Sequence, residues 1–480
     1  MKARYNSASG GIGMTETAGG VTESGVETNR VDLDGADADR VERWRAEVEG
    51  VFESRTATSR EAFARAREHI PGGVPGGLGF MSPHPVYFER ADGAYAWDAD
   101  GNKYLDVMSG DWLLPLGHCH PDVLDATIAQ LRRGTTYCSP HVSLGADLAA
   151  ELHRRLPSME QIRFTASGTE ATMTALRLAR AFTGRPKIAK MRGGYHGTHD
   201  LSLVANGRFA DPGAVPPGLI PGVEDAVVLL PYNHSDESEQ ILDRHADEIA
   251  AVIVEPILGG TGMIPATPEF LARLREVTRR HGMLLVLDEV VSFPMDVHGA
   301  QGHFGIEPDL TTLGKAIGGG LPLAAYGGRA DIMALVDPVL DPMTQMRHAT
   351  TLGGIPATLA AGLAQVRALT PEVHDHLNRL GERLRQGVRD IGRRHHAPLQ
   401  VTGFAHVFGI HWTPTPVVDL ETVLTSDKAV TNLLATSLYN QGILMFKSAL
   451  GTVTSPMTDD DVAMFLDALE RSVVDSGLVG

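Results

Sequence analysis

The chain has 480 residues, 43% hydrophobic and 21% charged, with 59 acidic against 42 basic side chains and a formal net charge of -17. That length supports a large core, the composition is ordinary for a soluble globular protein, and the acidic balance argues against nucleic acid or an anionic membrane as partner. The longest apolar runs, "AAVIVEPIL" and "MLLVLDEVV", are too short to span a bilayer and read as buried strands.

Residues 1–36 are rich in Gly, Ser, Thr and Glu without periodicity and read as a flexible tail lacking the apolar stretch of a signal peptide. Cys119 and Cys138 are too few for a disulfide framework, which points to a reducing cytoplasm. From Asp37 to Ile70 the pattern is helical, with apolar residues at Val41, Trp44, Val51, Phe52, Phe63 and Ala66, until "PGGVPGG" stops it. Residues 85–107 read as a β-meander, its short strands separated by the Asp-Gly turns of "ADG" and "DADGN". Strand-like runs then alternate with helical stretches: "QIRFTA" before a helix from Thr169, "KIAKMR", "AVVLLPY", "AAVIVEP", a helix over Pro268 to His281, "MLLVLDEV" and "DLTTLGK". This alternation predicts a mainly parallel α/β sheet. From about Thr370 a smaller α+β unit follows, so the division is tail 1–36, helix and meander 37–107, large unit 108–369 and small unit 370–480.

Ligands of open parallel sheets bind beyond the carboxyl ends of the strands. Those ends carry Ser167-Gly168-Thr169, Gly193-Gly194-Tyr195-His196-Gly197, Glu255-Pro256, Asp288-Glu289-Val290 and Gly314-Lys315. Small residues at a helix start expose backbone N–H groups at the positive end of the dipole, which suits a phosphate; the same residues also make a plain N-cap. A Walker P-loop is excluded, because Lys315 is followed by Ala316 and position 309 is Asp309. Asp288 ends a wholly apolar strand, where a carboxylate needs a cation, either Lys315 or a protonated ring nitrogen. Tyr195, in a glycine-flanked turn, offers a flat face for stacking. Phosphate cradle, aromatic face, acid and lysine together fit pyridoxal phosphate, held as a Schiff base by Lys315.

On "IPGGV", "GAYAWDADGNKYLD", "GHCHP", "RFTASGTEATMTALRLARAFTGRPKIAK", "GGYHG", "VEPI", "LDEV", "PDLTTLGKAIGGGLPLAAYGGRADIM" and "TTLGGIP", the chain resembles the class III pyridoxal-phosphate aminotransferases of fold type I. It is most similar to the branch of glutamate-1-semialdehyde aminomutase and the β-phenylalanine type aminotransferases, from about residue 63 onward. The resemblance implies a large domain with a mainly parallel seven-stranded sheet and a smaller α+β domain from the N- and C-terminal segments. It implies Lys315 as Schiff-base lysine and proton carrier, Asp288 as partner of the pyridinium, and Ser167, Gly168 and Thr169 at the phosphate. Tyr195 and Val290 would cover the two ring faces. Thr351 would reach the phosphate of a neighbouring subunit, which implies a homodimer with its sites at the interface. In "GHCHP", His118 and His120 read as a structural turn rather than a metal site, His196 as a hydrogen-bonding neighbour, and Glu255 as a support for the site.

Four positions depart from the family's pattern. Gly260 stands where many members carry a glutamate. Gly79 matches a carboxylate-binding arginine, Ala449 matches the aminomutase's gating glutamate, and Ile355 stands where Asn is common. Lys447 is a candidate for the substrate carboxylate, and Trp112, with Leu113 and Leu114, for the substrate pocket. The implied activity is transfer of an amino group between an amino acid, possibly a β-amino acid, or an amine and an oxo acid. The alternatives are an intramolecular aminomutase or racemase, and a non-catalytic protein that keeps the fold; intact Lys315 and Asp288 speak against the last.

Overall fold

The computed structural model describes residues 35–76, 80–137, 143–206, 216–340 and 343–479. Of the expected tail, residues 1–34 lie outside them, as do Gly79 and Cys138, while Gly35 and Ala36 already open the first helix. The helical stretch expected over 37–70 is two helices, α1 (Gly35–Arg55) and α2 (Ala57–Arg67). The break falls at Thr56, whose buried hydroxyl donates back to the Phe52 carbonyl at 2.7 Å and meets His84 Nε2 at 2.9 Å. That local bond competes with the helical ladder.

The meander forms as β1 (Phe88–Asp92), β2 (Tyr95–Asp98) and β3 (Lys103–Asp106), all antiparallel. The central sheet uses β4 (Gln161–Thr165), β5 (Lys187–Met191), β6 (Val227–Leu230) and β7 (Ile249–Val254). After a small hairpin of β8 (Ile257–Leu258) and β9 (Ile264–Pro265) it continues with β10 (Leu284–Asp288), β11 (Leu310–Leu313) and β12 (Ala324–Gly328). Its seven strands run in the order β4-β12-β11-β10-β7-β5-β6. Only β12 is antiparallel to its neighbours. β7 and β10 are buried along their whole length, as strands covered on both faces must be.

The C-terminal segment adds β13 (Leu399–Thr402), β14 (Val407–Trp412) and β16 (Leu450–Thr452) as a three-stranded antiparallel sheet. Strand β15 (Ile443–Leu444) instead joins the meander, parallel to β3. One apolar core unites both ends of the chain: Val41 and Trp44 of α1 and Leu105 of β3 pack with Leu377, Leu384, Phe408, Leu434 and Phe465. No helix among the described residues is long and apolar enough to cross a membrane.

Candidate active site

The carboxyl end of β10 delivers Asp288, 4% exposed. Its Oδ1 accepts from the Thr312 hydroxyl at 2.9 Å and the Val290 amide at 3.2 Å, and its Oδ2 from His196 Nδ1 at 2.7 Å. These donors offset the cost of taking the carboxylate out of water. Burial lowers the pKa of His196, so the ring is neutral and donates through Nδ1.

Beside it starts α3 (Gly168–Thr183). Ser167 is its N-cap, accepting from the Glu170 amide at 3.3 Å, and Glu170 Oε2 reaches back to the Ala166 amide at 2.9 Å. The first amides of such a helix have no internal acceptor and remain available to an anion. Two contacts bind this start to its neighbours, and a third ties Val290 to the residue before Lys315. A Cβ at Gly168 would lie 3.2 and 3.3 Å from the Val290 methyls, and one at Gly314 would lie 3.1 and 3.5 Å from them. Val290 is thus wedged between the helix start and the residue before Lys315. On the other side the Thr198 amide donates to Thr169 Oγ1 at 3.3 Å. The circuit from Thr169 through Thr198, His196, Asp288 and Val290 back to Gly168 closes.

Tyr195 is 44% exposed, and its amide donates to Glu255 Oε1 at 2.8 Å. Burial, reinforced by Asp288, pushes the fully buried Glu255 up to about 8. Lys315 lies in the left-handed region, at φ 46°. Its Nζ donates to the Asp111 carbonyl at 2.9 Å and sits 4.8 Å from the centre of the Trp112 ring. Burial lowers its pKa against the pull of Asp111, Glu255 and Asp288, so more of the amine is uncharged than in an exposed lysine. Residues 109 to 112 all have positive φ (51°, 58°, 62° and 65°), a left-handed turn that brings the Asp111 carbonyl and the Trp112 ring to the lysine. For the three residues that are not glycine this costs about 1–2 kcal/mol each. Trp112 in turn stacks on Phe446, with ring centres 4.6 Å apart.

Thr351 is exposed and lines an open groove of about 760 Å³ with Tyr137, Arg163 and His348. Its neighbour Thr350 reaches Glu170 Oε2 at 3.5 Å, so the "TTLGG" loop lies beside the start of α3. Lys447 has internal partners: its Nζ donates to the Ser82 carbonyl at 2.6 Å and to Thr436 Oγ1 at 2.9 Å. His118 Nε2 donates to Asp106 Oδ2 at 2.6 Å, which closes the turn that the sequence suggested. Two residues at the site escaped sequence reasoning. Asp111 carries no signal in its local pattern. Lys190 does: it is a lysine inside the apolar run "KIAKM", and the structure buries it completely. Its Nζ donates to the carbonyls of Ser202 and Val204 at 2.6 and 2.9 Å, pinning the chain beyond the Tyr195–His196 turn, and burial pushes it down to about 7.

The donor set fits pyridoxal phosphate. Free helix-start amides and the Thr169 hydroxyl suit the phosphate, Tyr195 and Val290 the ring faces, Asp288 a protonated ring nitrogen, and the Lys315 amine the aldehyde. The family model described as "Aminotransferase class-III" matches residues 81–471. A glutamate-1-semialdehyde 2,1-aminomutase of Geobacillus kaustophilus is 40% identical over 421 residues, covering 86% of this chain and 97% of the relative. Among solved structures, an omega-transaminase from Sphaerobacter thermophilus has 39% identity and a TM-score of 0.83, covering 87% of this chain and 98% of its own. A β-phenylalanine aminotransferase from Variovorax paradoxus has 34% identity and a TM-score of 0.85, covering 92% and 99%. The chain belongs to the class III aminotransferase family, and its cofactor is pyridoxal phosphate.

Proposed function

We propose that the protein is an aminotransferase, moving an amino group from an amino acid or amine to an oxo acid in two half-reactions. The observation that carries this reading is the Lys315–Asp288 arrangement walled by the Trp112–Phe446 stack; in the sequence, the position matching the aminomutase's gating glutamate is Ala449, which carries no acid. Bound pyridoxal phosphate supplies an aldehyde that condenses with amines and a ring that withdraws electrons from the carbon bearing nitrogen. Ser167, Gly168 and Thr169 would hold its phosphate, Tyr195 and Val290 its ring, and Asp288 the proton on its ring nitrogen. Lys315, partly uncharged and held by the Asp111 carbonyl until needed, would carry the proton from the donor carbon. The exposed Thr351, the groove beside it and the exposed Leu352 suit a second copy of the chain, so we place the sites at a homodimer interface. The free, exposed Cys119 suits a reducing cytoplasm.

A second reading, an intramolecular aminomutase, is favoured by the 40% identity to a relative of that name. The two separate on product release. The visible absorption of the loaded enzyme is followed while α-amino acids, β-amino acids and simple amines are added singly, and the solution is assayed for an oxo product. Loss of the lysine-bound absorption with stoichiometric oxo product supports transamination. Isomerised amine with no free oxo product would overturn it in favour of the aminomutase.

A further inference from the structure

A cavity of about 670 Å³ lies between the meander and the C-terminal segment, walled chiefly by Phe80, Met81, Phe88, Met108, Tyr439 and Phe446. It adjoins the lysine's surroundings at two points. Gly110, in its wall, precedes Asp111, the residue whose carbonyl takes the Lys315 Nζ hydrogen bond at 2.9 Å. Phe446, also in its wall, stacks on the Trp112 ring that lies 4.8 Å from Lys315 Nζ. The volume is that of a small-molecule pocket.

Of the charged residues that line it, Lys447, Asp106 and Arg90 already have partners. Lys447 is tied to Ser82 and Thr436, and burial pushes its ammonium down to about 8. Asp106 accepts from the amides of Met108 and Ser109, at 2.8 and 2.9 Å, as well as from His118. The Arg90 guanidinium lies 3.6 Å from the centre of the Trp97 ring. Glu89 stands exposed at the rim, where its charge repels a carboxylate. An incoming anion would find two of the three Lys447 donors already taken and Glu89 in the same wall, whereas an uncharged tail meets aromatic rings and thioethers as they stand.

We propose that this cavity receives an uncharged, apolar tail of the amino substrate, so that the enzyme selects primary amines bearing aryl or extended alkyl groups and gains no affinity from a substrate carboxylate. The proposal deepens the aminotransferase reading and rests on it for the reacting end. Each methylene buried in the cavity raises kcat/KM about fourfold.

The test uses the loaded enzyme with straight-chain amines from propylamine to heptylamine, and with 1-phenylethylamine against β-phenylalanine, which carry the same aryl group without and with a carboxylate. The expected result is a rise of about fourfold per methylene until the cavity is filled, and no advantage for β-phenylalanine. Met81→Trp, which narrows the cavity, lowers kcat/KM for heptylamine at least tenfold more than for propylamine; Phe88→Ala at the mouth gives the same ordering more weakly if the first variant folds poorly. Calorimetric binding of the unreactive 1-phenylethanol gives a readout independent of turnover and is weakened by the same variants. A flat response to chain length, a tenfold or greater preference for β-phenylalanine, or alcohol binding unchanged by Met81→Trp overturns the proposal. If no amine is deaminated while the alcohol still binds in a Met81→Trp-sensitive way, the transamination reading falls and the tail site stands.

Discussion

Gly197→Ala tests whether the start of α3 and the Tyr195–His196 turn are built against each other. Gly197 is buried at φ 96°, and an added Cβ would fall 2.5 Å from Thr169 Oγ1, 2.7 Å from its Cα and 2.8 Å from its Cβ. Alanine at such a φ costs about 1–2 kcal/mol, and overpacking against a backbone atom adds about 1–3 kcal/mol, for a total of about 2–5 kcal/mol. The strain can stay where it arises and appear as lost fold stability, or it can push Thr169 and the helix start aside and appear as lost cofactor affinity. Both are measured: urea unfolding of the cofactor-free protein, and titration of that protein with pyridoxal phosphate. We expect the two losses to sum to at least about 2 kcal/mol, with the cofactor Kd weakened tenfold or more. Gly184→Ala is the control, since Gly184 caps the other end of the same helix at φ 71° with nothing within 4 Å of an added Cβ. It carries the backbone term of about 1–2 kcal/mol alone and leaves cofactor binding unchanged. If Gly197→Ala is no worse than Gly184→Ala by either measure, the steric argument is refuted.

Lys315→Ala abolishes turnover while the cofactor still binds through its other contacts; the measurement is loss of the lysine-bound visible absorption with the cofactor retained on gel filtration, and a variant that cannot retain it contradicts the proposed cradle. Lys190→Met leaves the Ser202 and Val204 carbonyls without their donor, at about 1–3 kcal/mol each; urea unfolding that matches wild type would show that these bonds contribute nothing. His374 and His406, both 3% exposed, have pKa values pushed by burial from 6.5 to about 4 and about 3. Folded values below the unfolded value mean that their contribution is complete above pH 6.5 and is lost as the pH falls, by roughly 3 kcal/mol from each at pH 4. His374→Leu therefore reduces the drop in unfolding free energy between pH 7 and pH 4, and a parallel drop in variant and wild type would sink the assignment. Lys447→Ala leaves the KM of carboxylate-bearing and carboxylate-free donors in the same ratio while lowering Tm; a selective rise for carboxylate donors would return Lys447 to a substrate role.

Sequence legibility followed the range of the interaction that sets each feature. Asp288 and Lys315 stood out because each breaks a local rule, a carboxylate at the end of an apolar run and a lysine among glycines. Strand β12 broke no rule and showed no strand pattern: "AAYGG" has glycines where a strand favours branched or aromatic residues. The reason is tertiary. The strand is inserted antiparallel between β4 and β11, where a Cβ at Gly327 would lie 2.4 Å from the Gln161 carbonyl and one at Gly328 2.1 Å from that of Asp309. Close backbone approach, invisible in one strand read alone, selected residues that hide the strand. The same holds at Thr56, where a bond to His84, 28 residues away, helps divide a pattern that reads as one helix. It holds again at Trp112, which a left-handed turn over four residues brings to Lys315, although of the residues in "SGDW" only Gly110 and, less strongly, Asp111 suit such a turn. The setting of Lys447 is likewise non-local: its four-carbon stem could deliver a charge to the substrate side, and the Ser82 carbonyl and the Thr436 hydroxyl, on two other segments, take two of its three N–H donors. A cation's presence near a site is readable from spacing; whether it is free to act depends on which distant groups have already satisfied it.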